Sequence, residues 1–239
     1  MRELFENFER IEKNDPEFHE LFENFAYDEV YQYSTLDEKE SVLVTLASLI
    51  ACQSPKAFKK ILLSAINKYI TPEEVKELLY QSVPYVGFGR AHNFFGVVIK
   101  VFDKKGIDLP LSPRSNTNAE DRYEKGLDIQ NRYFGEEFIS AMKEARPDGQ
   151  KHFDNFLEGY CFGDFYTRDG LNDQQRELIT FTFIATLGGC ENQLRGHTQG
   201  NLSVGNDKEK LVSVITIILP YIGFPRSFNA LAIINEICD

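Results

Sequence analysis

The sequence predicts an all-α fold made by tandem duplication of one helical unit, and three observations carry that expectation. Apolar residues recur three and four apart through runs of ten or more, as in VLVTLASLIA (42–51), ELITFTFIATL (177–187) and KLVSVITIIL (210–219), which is the period of buried helices. Helix-start signals recur between these runs. The decapeptide PYVGFGRAHN (84–93) returns as PYIGFPRSFN (220–229), identical at six of ten positions at an offset of 136 (220 − 84 = 136).

Taken in chain order, FHELFENFAYDEVY (18–31) opens the first copy, and VLVTLASLIA follows as its buried helix. Thr71-Pro72-Glu73-Glu74 supplies an N-cap, a proline at the first helical position and a glutamate at the third, so a helix starts there. IDLPLSPRSNTNAED (107–121) is a polar, proline-containing joint. FDNFLEGYCFGDFY (153–166) then echoes the opening segment at an offset of 135. Asn172-Asp173-Gln174-Gln175 starts the helix holding ELITFTFIATL, Gly188-Gly189 breaks it, and Asn206-Asp207 opens the next apolar helix. VSVITIIL is β-branched enough to pass for a strand, but the length of its run and the cap before it favour a helix. The expected division is a first repeat over 1–106, a linker over 107–121 and a second repeat over 122–239.

Bulk properties limit the function classes. A chain of 239 residues with 42% hydrophobic content can bury a sizeable core. A net charge of −11 repels nucleic-acid backbones and anionic membrane surfaces. The longest apolar stretch, Val212 to Phe224, contains Pro220 and falls short of a membrane span. The expectation is a cytoplasmic protein that acts on a small molecule. Four scattered cysteines, with no C-x-x-C pair, do not form a secreted disulfide framework.

Superposing the copies isolates the chemistry. At the constant offset Glu177 falls on Ser41, Cys190 on Ser54 and His197 on Ile61. A gapped register brings Cys52 onto Cys190 but leaves Lys59 in the histidine's place. One copy therefore reads as a site and the other as its scaffold. Cys190 follows the glycine break, in the first turn of a helix, where free N–H groups favour a thiolate. His197 lies seven residues on, within about 20° of the same face and roughly 10 Å along the axis. Gln193 stands between them on that stripe, spaced to carry a hydrogen bond. Glu177 at the start of an apolar helix needs a partner if it turns inward, and a histidine on the next helix would serve. Cys161 and Cys238 read as packing thiols, and Tyr85 and Tyr221 as core residues beside matching turns.

Residues 171–236, through Arg176-Glu177-Leu178, Arg195-Gly196-His197, Gly200-Asn201-Leu202, Gly205 and Tyr221-x-Gly223-x-Pro225, resemble the carboxymuconolactone decarboxylase family, which shares its fold with alkylhydroperoxidase D-like proteins. The first copy resembles it more faintly through Tyr85-Val86-Gly87. The resemblance implies an all-helical unit, homo-oligomers of three or six subunits, and neither metal nor organic cofactor. It matches Glu177, Cys190 and His197 to the family's proton-relay glutamate, cysteine and histidine and leaves Tyr221 near the pocket; Gln193 and Tyr221 are the expected substrate contacts. The peroxidase branch carries a second thiol where Gln193 stands, so an internal disulfide cycle cannot close there. Three readings follow: a decarboxylase of a small carboxylated, lactone-type substrate; a thiol-dependent peroxidase using Cys190 and an external reductant; and a non-catalytic helical scaffold.

Overall fold

The computed structural model describes residues 9–239. The first repeat comprises α1 (Glu9–Asn14), α2 (Pro16–Glu23), a wide π-helical turn (Asn24–Glu29), a 3-10 turn (Val30–Tyr33), α3 (Glu38–Ala51), α4 (Pro55–Ala65), α5 (Pro72–Val86) and α6 (Phe88–Lys104). The chain continues with α7 (Arg122–Phe134), α8 (Glu136–Glu144), a 3-10 turn (Asp148–Gln150), α9 (His152–Phe156) and a longer π-helical segment (Leu157–Tyr166). It ends with α10 (Asp173–Leu187), α11 (Glu191–Ser203), α12 (Lys208–Ile222) and α13 (Phe224–Cys238). No strand occurs among the described residues, only an isolated bridge between Ile66 and Ile70. The fold is all-α, as the periodicity predicts, and VSVITIIL is helical within α12. No described helix is long and apolar enough to cross a membrane.

Local chemistry sets the boundaries. Asp37, Thr71 and Asn172 each close a capping box with the residue three further on, and Asp207 caps α12. Gly87 and Gly223 hold φ of 80° and 79° between α5 and α6 and between α12 and α13, a backbone shape that disfavours any other residue. The caps also refine the alignment of the copies. Asp37 pairs with Asn172 at an offset of 135 (172 − 37 = 135), whereas Thr71 pairs with Asp207 at 136 (207 − 71 = 136). The extra residue falls at the end of α10, so the start of α10 aligns one residue off the constant register, and Glu177 corresponds to Val42 instead of Ser41. Pro220 lies in the last turn of α12 and does not interrupt it.

The two repeats exchange helices across their contact. α3 and α10 are buried around most of their circumference, as a helix at the centre of a domain must be. α10 sends Ile179 and Phe183 into the first repeat's core, and α3 sends Val44 into the second's. Helix α5 of the first repeat lies on α10 and α12 of the second on α3. Glu77, Gln81 and Tyr85, spaced four apart on α5, therefore present one polar stripe to α10. Glu77 binds Arg176 at 3.2 Å and Arg168 at 2.9 Å, while Gln81 accepts from Arg176 at 2.9 Å and donates to Thr180 at 3.2 Å. Buried charges persist only when paired in this way.

Candidate active site

Three local devices build the second repeat's site. The capping box at Asn172 starts α10 so that Glu177, in its second turn, is completely buried. Positive φ at Gly188 and Gly189 ends α10 and turns the chain into Cys190, which is the N-cap of α11. The π-helical segment delivers Cys161 and Tyr166 to the same region; such wide turns re-aim side chains that a regular helix would direct elsewhere.

Glu177 Oε2 lies 2.9 Å from His197 Nδ1, and Oε1 accepts a hydrogen bond from Tyr166 Oη at 2.9 Å. Tyr166 Oη is also 3.0 Å from Thr180 Oγ1 and 2.6 Å from Tyr85 Oη. Counting protons assigns the directions. Each hydroxyl has one proton, and the Tyr166 proton is directed at Glu177. Thr180, itself accepting from Gln81, then donates to Tyr166, and so does Tyr85. The Tyr85 oxygen accepts from Cys161 Sγ at 3.8 Å and faces His197 Nε2 at 3.4 Å. A carboxylate on Nδ1 fixes the tautomer that leaves Nε2 for chemistry. Asn201 secures both helices by donating to the Glu177 and His197 backbone carbonyls. Gly200 lets α11 approach: a Cβ there would stand 2.6 Å from Glu177 Oε2.

Burial raises both Tyr85 and Tyr166 well above the ordinary phenol range and the Cys161 thiol to about 12. All three remain protonated hydrogen-bonding groups at neutral pH. The imidazole is held edge-on between Tyr85 and Phe134, with ring centroids 5.3 Å and 5.4 Å away.

A cavity of about 740 Å³ opens on His197, Cys190, Gln193, Tyr85 and Cys161. The structure thus brings Cys190, Gln193 and His197 to one hollow and sets Glu177 behind the imidazole, away from the cavity wall. The two nitrogens of His197 face Glu177 and Tyr85, so Gln193 does not bridge it to Cys190. Tyr221 stands elsewhere. It lines a smaller hollow in the first repeat with Phe22, Cys52 and Ser54, and its hydroxyl meets Tyr27 at 3.1 Å. Tyr85 and Tyr221 are equivalent in the duplication, and each repeat's tyrosine faces the other repeat's hollow. The tyrosine beside His197 is therefore Tyr85, and Cys161, which reads as a packing thiol, lies on the cavity wall. The repeat alignment marked Tyr85; only the exchange of helices places it.

The carboxymuconolactone decarboxylase family model matches twice, over residues 16–100 and 151–236. The 4-carboxymuconolactone decarboxylase of Acinetobacter baylyi is 30% identical over 120 residues, spanning 50% of this chain and 89% of that protein. A crystal structure from Burkholderia xenovorans, of a protein assigned as a gamma-carboxymuconolactone decarboxylase subunit, superposes with a TM-score of 0.52. It covers 97% of this chain and 90% of that one at 18% identity, a likeness of fold.

Proposed function

The chain belongs to the carboxymuconolactone decarboxylase family, and from that premise we propose a decarboxylase-like enzyme that delivers a proton to carbon from His197 in the second repeat. The observation that carries this reading is an imidazole on the cavity wall whose Nδ1 is held by a buried carboxylate and whose Nε2 faces the Tyr85 hydroxyl. Glu177 orients the ring by holding Nδ1. Tyr85 and Tyr166 tie that carboxylate to the first repeat and keep water from it. His197 Nε2 serves as general acid as the carboxylate leaves, a role that typically contributes 10²–10⁴-fold. Cys190 assists at the cavity wall as a polar contact to the substrate.

A homo-oligomer accompanies this reading, supported by Phe88, Phe138, Phe153 and Phe156, each more than half exposed around the cavity mouth. A native mass of three or six times 27.5 kDa is expected.

Carbon dioxide release from a panel of cyclic carboxylates tests the activity. Turnover by the wild type, with a loss of about a hundredfold or more in His197→Ala and Glu177→Gln, is expected. Equal rates in all three proteins would refute the assignment.

A further inference from the structure

We infer that the hollow of the first repeat is a second binding site, for a neutral ring compound bearing one hydroxyl or carbonyl oxygen; the inference goes beyond the reading of His197 and does not depend on it. The hollow has a volume of about 360 Å³, within the range of about 300–1,000 Å³ that small-molecule pockets occupy. Each of its described wall residues has a counterpart in the wall of the cavity at His197. Phe22, Leu49 and Cys52 correspond to Leu157, Ile184 and Leu187 at the offset of 135 (157 − 22, 184 − 49 and 187 − 52). Ser54 and Ala57 correspond to Cys190 and Gln193 at 136 (190 − 54 and 193 − 57), and Pro220-Tyr221 is the mate of Pro84-Tyr85. One architecture therefore shapes both hollows, and only the side chains differ.

The differences remove charge. Val42 and Ile61, both buried, stand where the second repeat has Glu177 and His197. Uncharged partners are kept: Tyr31 and Thr45 repeat Tyr166 and Thr180 at the offset of 135 (166 − 31 and 180 − 45), and Tyr221 Oη meets Tyr27 Oη at 3.1 Å. Cys52 donates from Sγ to the Tyr221 carbonyl at 3.6 Å. Burial raises this thiol above its ordinary range although the Arg226 guanidinium opposes it, so it is neutral at pH 7. Arg226 packs on Gly188 and lines a separate crevice with Ala230 and Ile233. Among the described residues the wall of the hollow thus carries no charge, and a carboxylate there would be desolvated without compensation. Ser54 supplies the polar contact. It is the half-buried N-cap of α4, yet its side chain makes no capping bond, so a hydroxyl that usually accepts from the helix is left for a ligand oxygen. The apolar surface comes from Leu49, Ala57 and the rings of Phe22 and Tyr221, which meet edge to face with centroids 6.3 Å apart.

Titration calorimetry at pH 7 tests the site with 4-bromophenol, a neutral probe, and 4-bromobenzoate, its anionic counterpart. The protein used is Gln193→Trp, in which the added ring fills the cavity at His197. 4-Bromophenol binds this variant at one site, at least about tenfold more tightly than 4-bromobenzoate. Adding Ser54→Ala weakens 4-bromophenol about three- to tenfold, the scale of one hydrogen bond, and adding Ala57→Trp abolishes its binding. The inference is overturned by no binding of 4-bromophenol to Gln193→Trp, by an affinity that Ser54→Ala or Ala57→Trp leaves unchanged, or by equally tight binding of 4-bromobenzoate. Should a tryptophan variant not fold, bromine density in wild-type crystals soaked with 4-bromophenol decides. A peak between Ser54 and Tyr221 supports the site, and its absence there overturns it.

Discussion

Tyr85 of the first repeat stands with its hydroxyl 3.4 Å from Nε2 of His197 in the second, so the half of the chain without a histidine site supplies a wall of the site in the other half. The same hydroxyl is 2.6 Å from Tyr166, which in turn holds Glu177.

Tyr85→Phe keeps the ring stacked on Phe183 and removes only the oxygen. Turnover is expected to fall about tenfold, with stability changed by about 1 kcal/mol. Tyr221→Phe, whose hydroxyl meets Tyr27 in the other hollow, is the control and leaves turnover unchanged. Steady-state kinetics of the two variants makes the comparison.

Gly200→Ala is predicted to damage the site from behind. The added methyl would lie 2.6 Å from Glu177 Oε2 and 2.9 Å from Phe134 Cε1, so the carboxylate must leave the imidazole or α11 must shift. Urea unfolding is expected to show a loss of about 1–3 kcal/mol, and turnover falls with it.

The seam between the repeats is equally exposed to single changes. Glu77→Gln leaves the buried guanidinium of Arg176 and the nearby Arg168 without their carboxylate. Breaking such a pair costs about 3–5 kcal/mol, measurable as a lower urea midpoint.

Much of this arrangement was legible in the sequence because it is local. Capping residues at Thr71 and Asn172, the run ELITFTFIATL and the glycine break before Cys190 each act within a few residues, and the helices form where those signals stand. Glu177 and His197 stood out because the first copy lacks both. The roles of Tyr85 and Tyr166 were not legible there, because they depend on which helices cross. Tyr85 reads as a core residue beside a turn until α5 is placed on α10. Tyr166 is aimed by a π-helical segment that leaves no periodic mark.

Alkaline pH should weaken the fold through Cys161. Burial raises its pKa from 9.0 to about 12, so its contribution is complete below pH 9 and is lost as pH rises from there through 12, where the unfolded chain releases a proton that the folded chain retains. Urea unfolding of wild type and Cys161→Ala across that range should give a steeper decline for wild type, after the tyrosine contribution common to both is subtracted.

The most direct test of proton transfer at His197 is the reverse of the proposed protonation, the exchange of solvent deuterium into the decarboxylated product at the carbon that had carried the carboxylate, followed by proton NMR. The account predicts exchange catalysed by wild type, slowed about a hundredfold or more in His197→Ala and Glu177→Gln and about tenfold in Tyr85→Phe. Exchange at the wild-type rate in His197→Ala would contradict it.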